Sequence, residues 1–152
     1  MIETTLIYLK KDNKYLMLHR TKKENDINEN KWLGIGGKLE PNEMPDECIK
    51  REVKEETGLD LISFKRRGYI MFYNTKCVTE KIYLYESSDF SGDIIECNEG
   101  DLLWVPIDKV MDLNLWEGDR IFLKELINTN NNIAIEFHYD GDKLIDYKIY
   151  DY

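Results

Sequence analysis

The sequence has few cysteines, little basic charge and no long apolar segment, and each shortage argues against a class of protein. Its three cysteines, Cys48, Cys77 and Cys97, are odd in number and widely spaced, and no C-x-x-C pair occurs. This spacing indicates neither a disulfide framework nor a zinc site, so we expect a reducing, cytoplasmic environment. The N-terminus carries an acid at Glu3 and only a short apolar stretch, so we expect no signal peptide and no membrane span.

The shortage of basic charge limits the partners. The 152 residues carry a formal net charge of −9. Nonspecific binding to nucleic acid polymers or anionic membranes depends on basic surface, so we expect neither partner. A small anionic ligand is compatible with this charge only beside local positive charge or a metal ion. With 42% hydrophobic residues and no internal repeat or low-complexity linker, the chain is expected to form one globular domain over residues 1–152.

Local patterns predict alternating strands and helices. Short apolar runs at 4–9 and 15–18 flank a turn composition and predict a hairpin, and the polar segment 21–31 predicts a loop. Helix-forming residues from Pro45 to Thr57, ended by Gly58, predict a helix. Three further strands are predicted at 67–74, 77–87 and 102–108, and a second helix at about 116–127. Residues 133–152 are predicted to form a closing hairpin that turns at Asp140-Gly141.

The first helix carries closely spaced carboxylates. Glu52, Glu55 and Glu56 stand at i, i+3 and i+4, so a helix places them on one face, with Ile49 and Val53 directed toward the core. One interpretation is an ordinary solvated face on which nearby lysines balance the charge. The other is a site for a hard cation, because Mg²⁺ prefers oxygen ligands and completes its shell with waters and substrate phosphates. The helix alone does not decide between them.

The longer segment from Gly37 to Leu59 favours the cation site. It reads Gly37-x5-Glu43-x7-Arg51-Glu52-Val53-x-Glu55-Glu56-x-Gly58-Leu59. This resembles, at every defined position, the signature of the Nudix hydrolases. The resemblance implies a Nudix fold, which is an α/β/α sandwich with a mixed central β-sheet. It also implies that the protein hydrolyses a nucleoside diphosphate linked to another group. The chain would then form a single Nudix domain, with the signature at residues 37–59.

The same resemblance implies roles for individual residues. Divalent ions, Mg²⁺ or alternatively Mn²⁺, would be held by four glutamates and a backbone carbonyl: Glu52, Glu55, Glu56, Glu99, and Gly36 or Gly37. Arg51 would orient a neighbouring glutamate through a bidentate ion pair. Either Glu52 or Glu56 would activate the attacking water, and this choice stays open. The metal ions would neutralise the phosphates and supply the positive charge that the acidic segment lacks.

Outside the signature, the chain is similar to the MutT-like branch of the family, whose members remove oxidised purine nucleoside triphosphates. The segments that carry this similarity are "KWLGIGGKLE", "LWEGD" and "LIDYKIYDY". They imply that Trp116 stacks on a purine, that Asp119 hydrogen-bonds its edge and that Lys38 meets phosphate. Leu33 and Ile35 are expected to border the base pocket.

Two departures from the MutT-like pattern concern the base. Leu33 stands where some purine-reading relatives have asparagine, and Gly118 replaces one of two adjacent aspartates. The expected reaction converts a triphosphate such as 8-oxo-dGTP to the monophosphate and pyrophosphate. One alternative is another Nudix substrate: a cytidine or unmodified nucleotide, ADP-ribose or a dinucleoside polyphosphate. The other alternative is a catalytically silent nucleotide sensor, and the complete glutamate set argues against this one. The partner is thus a small nucleotide, and the oligomeric state is left open.

Overall fold

The computed structural model describes residues 1–22 and 25–151. Lys23, Glu24 and Tyr152 lie outside this range, so part of the predicted loop 21–31 and the last residue of the closing hairpin are not described. The strands are β1 Ile2–Lys11, β2 Lys14–Arg20, β3 Trp32–Leu33, β4 Ile35–Lys38, β5 Asp60–Asn74, β6 Cys77–Ser91, β7 Gly100–Pro106, β8 Ile133–Asp140 and β9 Lys143–Ile149. The helices are α1 Pro45–Thr57, α2 Ile107–Val110 and α3 Glu117–Asn128.

The sheet mixes parallel and antiparallel pairs, as predicted. Its main path runs β3-β2-β1-β6-β5-β8-β9, with β4 also paired to β1 and β7 to β2. The pairs β1–β6 and β5–β8 are parallel, whereas β5–β6 and β8–β9 are antiparallel. The first hairpin pairs only at Lys10↔Tyr15 and Lys11↔Lys14, because β1 then pairs with β4 and β6 while β2 pairs with β3 and β7.

A hydrophobic core lies on each face of the sheet, which confirms the sandwich. Alternation along β1 directs Ile7 and Leu9 into the core beneath α1, and Tyr8 into the core beneath α3. Each of these three side chains is fully buried. Within the described chain, none of the helices combines the length and the apolar composition that a membrane span needs.

The structure extends or corrects several predicted elements. The strand predicted at 67–74 begins at Asp60, and the strand predicted at 102–108 ends at Pro106, where Ile107 begins the short helix α2. The sequence analysis did not predict β3 and β4, which are two and four residues long. Their few residues include two glycines, so their strand character comes from pairing with β2 and β1 and not from local propensity.

Local signals at both ends of α1 fix the orientation of its glutamates. Pro45 occupies the first turn, and the side chain of Glu47 accepts a hydrogen bond from the N–H of Met44 at 3.0 Å. Gly58 ends the helix with a φ of 80°, and its N–H donates to the carbonyl of Lys54 at 3.0 Å. The buried face of α1, including Ile49 and Val53, packs on the sheet. The acidic face therefore lies at the edge formed by β4.

Candidate catalytic site

Two glycines of β4 bring its backbone against α1 and β1. A Cβ on Gly37 would lie 2.4 Å from the carboxyl carbon of Glu52, and a Cβ on Gly36 would lie 1.8 Å from the carbonyl oxygen of Thr5. No side chain fits at either position without displacing these atoms. The N–H of Gly36 donates to Oε2 of Glu56 at 3.1 Å. The glycine edge, which is formed by Gly36 and Gly37 of β4, is therefore in direct contact with the carboxylates of Glu52 and Glu56.

Arg51 links the carboxylates of the signature to one another. Its Nε and Nη2 donate to the two oxygens of Glu43 at 2.7 and 2.8 Å, which is a bidentate pair. Its Nη1 donates to Glu52 at 2.8 Å and to Glu55 at 3.1 Å, and its Nη2 also donates to the carbonyl of Lys38 at 3.1 Å. Hydrogen bonding to Arg51 lowers the pKa of Glu43 to about 2. Arg51 thus fixes the loop before α1 as well as two of its glutamates.

Glu56 occupies the most buried position of the carboxylate group. Its exposed fraction is 8%. Burial, a hydrogen bond with the Glu99 carboxyl and the charges of Glu99 and Glu52 raise the pKa of Glu56 well above its usual range. Glu99 comes from the segment before β7, and its Oε2 lies 3.3 Å from Nη1 of Arg20. Three predicted metal ligands, Glu52, Glu56 and Glu99, therefore lie together at the cost of mutual repulsion.

The donor chemistry of this group fits a hard divalent cation. Carboxylate oxygens and the carbonyl oxygens of the glycine edge are the ligand types that Mg²⁺ and Mn²⁺ prefer. Burial and, after it, the neighbouring carboxylates raise the pKa of Glu56, and a bound cation would offset both effects. In the described part of the chain, no three His, Cys, Asp or Glu side chains already converge on one point. Glu52 and Glu55 instead turn toward Arg51, so metal binding would require side-chain rotation at this site.

A cavity of about 420 Å³ joins the glutamates to an aromatic wall beneath α3. Its lining includes two clusters: the glutamate end, formed by Glu52, Glu56 and Glu99, and the aromatic end, formed by Trp116 with Asp119. Other lining residues include Leu6, Leu33, Gly34, Gly36, Gly37, Lys38, Ile70, Phe72, Glu80 and Ile82. A larger cavity of about 580 Å³, bordered by residues such as Lys10, Ser63 and Asn130, includes none of the predicted site residues. The smaller cavity therefore carries the candidate site.

Trp116 is held firmly at the aromatic end. Its Nε1 donates to Oδ1 of Asn28 at 2.7 Å, and its ring packs edge to face with Phe72 at 5.4 Å and Tyr139 at 5.1 Å. The ammonium of Lys31 lies 5.1 Å from the ring centroid. A base that stacks on Trp116 must use the ring face that Lys31 leaves free, or displace this lysine.

Asp119 presents an unsatisfied acceptor to the cavity. It lies in the first turn of α3, is half-buried, and its Oδ2 is shielded from solvent without a hydrogen-bond partner among the described residues. Burial raises the pKa of Asp119 to about 8, against the opposing charges of Lys31 and Arg120. A buried atom of this kind requires a partner, and a bound base edge can provide one.

Nine of the twelve predicted site residues line the cavity, whereas Arg51, Glu55 and Ile35 do not. Arg51 and Glu55 are hydrogen-bonded to each other, and Arg51 also donates to Glu52. The Ile35 side chain is fully buried in the core beneath α1, among residues such as Ile7 and Ile49. Strand alternation explains this correction, because Ile35 points to the face opposite the cavity. Leu33 and Lys38 line the cavity as expected.

Five residues that line the cavity are among those not predicted from the sequence: Arg20, Asp26, Ile27, Asn28 and Glu80. Arg20 on β2 pairs with Asp26 at 2.9 Å, and Asp26, Ile27 and Asn28 of the predicted loop line the cavity. Glu80 on β6 also lines it. Polar loop residues and a glutamate in an alternating strand carry no local signal of such a position. Only the strand register and the path of the loop reveal them.

Comparison with known proteins identifies a family and a shared fold. The sequence model of the NUDIX domain matches residues 3–126. A Danio rerio protein named oxidized purine nucleoside triphosphate hydrolase is 24% identical over 121 residues, covering 78% of this chain and 77% of the relative. The uncharacterised Nudix hydrolase YvcI of Bacillus subtilis is 24% identical, covering 93% and 89%. A MutT protein structure from Bacillus halodurans has a TM-score of 0.87 at 22% identity, covering 98% and 97%, and shares the fold.

Proposed function

The chain belongs to the Nudix hydrolase family, and from this premise we propose that it hydrolyses oxidised purine nucleoside triphosphates, such as 8-oxo-dGTP, to the monophosphate and pyrophosphate. One observation carries the proposal: a single cavity is lined both by the signature glutamates Glu52 and Glu56 and by Trp116 with the unsatisfied Asp119. Its volume of about 420 Å³ is in the range of small-molecule sites. The name of the Danio rerio relative supports the choice of oxidised purines.

At the glutamate end, we assign Glu52, Glu55, Glu56 and Glu99 and the carbonyls of Gly36 and Gly37 to the binding of Mg²⁺ or Mn²⁺. Such an ion would neutralise phosphate charge and make an attacking water more acidic. Arg51 positions Glu52 and Glu55 through its Nη1. Glu56 is held through Oε2 by the Gly36 N–H.

Proton transfer from the attacking water falls to Glu52 or Glu56. Both belong to the carboxylate group that borders the cavity. Lys38 is proposed to contact the phosphates. At the other end, Trp116 provides a rigid aromatic surface for the base, and Asp119 provides its hydrogen bond.

We also infer that residues 1–152 form one catalytic domain. The family match ends at residue 126, yet β8 and β9 continue the same sheet by pairing with β5 and with each other. Phe137 and Tyr139 of β8 line the candidate cavity. The chain beyond the family match therefore contributes to the site.

Pyrophosphate release tests the function directly. The wild-type protein with Mg²⁺ should turn over 8-oxo-dGTP faster than dGTP, CTP, ADP-ribose or a dinucleoside polyphosphate, and EDTA should abolish turnover. A different preferred substrate would replace the oxidised-purine assignment, and no turnover of any compound would refute the enzymatic proposal.

Glu56→Gln tests the assigned carboxylate. It should lower turnover at least about a hundredfold while the circular dichroism spectrum stays unchanged, because the carboxylate set would lose one charge. Glu47→Gln on the same helix is the matched control, since its amide oxygen can still accept the Met44 N–H. Near-normal turnover of Glu56→Gln would remove Glu56 from the mechanism.

A further inference from the structure

Glu80 places a carboxylate beside the aromatic end of the cavity, well away from the signature glutamates in the sequence. It stands on β6 directly opposite Phe72 of β5 in an antiparallel pair. Side chains at opposing positions lie on the same face with Cβ atoms about 5 Å apart. Phe72 in turn packs edge-on against Trp116 at 5.4 Å. Glu80 is therefore adjacent to the surface on which the proposed function places the base.

The surroundings of Glu80 do not explain it as a structural residue. Its Oε2 accepts a hydrogen bond from Oγ1 of Thr4 at 2.7 Å, and both residues line the cavity. Among residues 1–22 and 25–151, no lysine, arginine or histidine forms an ion pair with it. The next inward residue of β6 on this face is the apolar Ile82. Burial raises the pKa of Glu80, with only the Thr4 hydroxyl opposing the shift.

A half-buried carboxylate with one hydroxyl donor has unused acceptor capacity. An ionised carboxylate can accept about four hydrogen bonds and can donate none. It repels phosphates and offers nothing to a base carbonyl, so the group that satisfies it must carry N–H or O–H. Purine nucleosides carry several such groups, and two of them distinguish guanosine from its deoxy and inosine analogues: the sugar 2′-hydroxyl and the exocyclic amine of guanine.

We propose that Glu80 is a specificity-determining residue that accepts a hydrogen bond from the sugar 2′-hydroxyl or the exocyclic amine of the substrate. Thr4 is its positioning partner, since its hydroxyl holds Oε2 and leaves Oε1 for the ligand. The assignment rests on the proposed function, because it requires a nucleotide in the cavity. It adds a second polar contact to Asp119 and makes substrate choice depend on a donor group near Phe72.

Binding of reaction products tests this assignment without turnover. Calorimetry would give the dissociation constants of 8-oxo-GMP, 8-oxo-dGMP and 8-oxo-IMP for the wild type, Glu80→Leu and Glu80→Gln. The deoxy compound lacks the 2′-hydroxyl and the inosine compound lacks the exocyclic amine, so the pair identifies the donor. Glu3→Gln is the control, because Glu3 is exposed on the same pair of strands and does not line the cavity.

The wild type should bind 8-oxo-GMP about tenfold more tightly than at least one of the two analogues, because a missing donor leaves a partly buried charge unpaired. Glu80→Leu should bring that ratio to within twofold, Glu80→Gln should fall between, and Glu3→Gln should match the wild type. Circular dichroism would establish that each variant is folded.

Unchanged ratios in both folded Glu80 variants, or equal wild-type affinity for all three compounds, would overturn the assignment. Turnover of 8-oxo-dGTP, measured in parallel, separates this result from failure of the proposed function. If the wild type hydrolyses the triphosphate while the ratios stay unchanged, only the role of Glu80 is refuted. If the wild type neither binds nor hydrolyses these nucleotides, both proposals are refuted.

Discussion

Replacement of Glu43 by glutamine should weaken both the fold and the site, and the structure gives the size and pH dependence of the effect. Both oxygens of Glu43 accept from Arg51, at 2.7 and 2.8 Å, and its side chain is 12% exposed. A pKa that falls from 4.5 to about 2 corresponds to at most about 3 kcal/mol. Solvent screens a pair at this edge of the molecule, so we expect a loss of about 1–2 kcal/mol.

The sign of the pH dependence follows from the direction of the shift. The folded-state pKa of Glu43 is lower than the unfolded value, so its stabilising contribution is complete above about pH 4.5 and disappears as the pH falls toward 2. About half of the contribution should be lost by pH 3. The free energies of unfolding of wild type and Glu43→Gln should therefore differ most at pH 7 and converge in acid.

Urea denaturation followed by tryptophan fluorescence at pH 7, 5 and 3 measures this difference. Glu40→Gln is the matched control, because Glu40 lies 3.7 Å from Arg51 with a side chain that is 62% exposed. That substitution should change stability by less than about 0.5 kcal/mol. Equal losses in the two variants, or a Glu43→Gln loss that is independent of pH, would refute the reasoning. Turnover should also fall in Glu43→Gln, since the released Arg51 can rotate away from Glu52.

Three further predictions follow from other positions. Gly37→Ala should lower turnover at least about tenfold with little change in melting temperature, because the added Cβ displaces the flexible carboxylate of Glu52. Gly36→Ala places its Cβ against the backbone of Thr5, so it should lower the free energy of unfolding in urea by more than about 2 kcal/mol. Burial raises the pKa of Asp119 to about 8. The free energy of unfolding of the wild type, relative to that of Asp119→Asn, should therefore fall as the pH rises from about 4 to 8 and then level off. Urea titrations at pH 5, 7 and 9 would measure this change. Arg67 is fully buried and donates to the Glu86 carboxylate and to the backbone carbonyls of Leu126, Thr129 and Asn131. Arg67→Leu should therefore lower the free energy of unfolding by about 3–5 kcal/mol, measured as a melting temperature lower by roughly 10 °C.

The glutamate end of the cavity could be predicted because its geometry is mostly local. The helical repeat alone places Glu52, Glu55 and Glu56 on one face, and Gly58 ends the helix directly after them. The role of Arg51 as a bidentate partner also follows from a short segment, since Glu43 lies eight residues before it. These interactions need little information from the rest of the chain.

The aromatic end could be predicted only in part, because it depends on contacts between distant residues. Ile35 illustrates this dependence, because neighbouring residues of a strand point to opposite faces of the sheet. A difference of one position along β4 therefore places a side chain in the core instead of the cavity. Asn28 contacts Trp116 across 88 positions, and nothing in the polar loop composition indicates that contact. Glu80 reaches the cavity only because β6 and β5 pair in one register.

This division affects how far the reaction and the substrate can be inferred. Glu52 and Glu56 lie within one short segment and Glu99 joins them from the segment before β7, so a match to the short segment covers most of the glutamate end. The nucleoside end is assembled from β1, β3, β5, β6, β8, the loop before β3 and α3. Single substitutions in these elements should alter recognition without disturbing the reaction. Leu33 contributes no side-chain hydrogen bond to this end, whereas Glu80 adds an acceptor from a different strand. If Leu33 and Glu80 act in this way, the protein selects the base or sugar of its substrate by a donor group near Phe72. Substitution of Glu80 should then change the ranking of substrates while the cleaved bond stays the same.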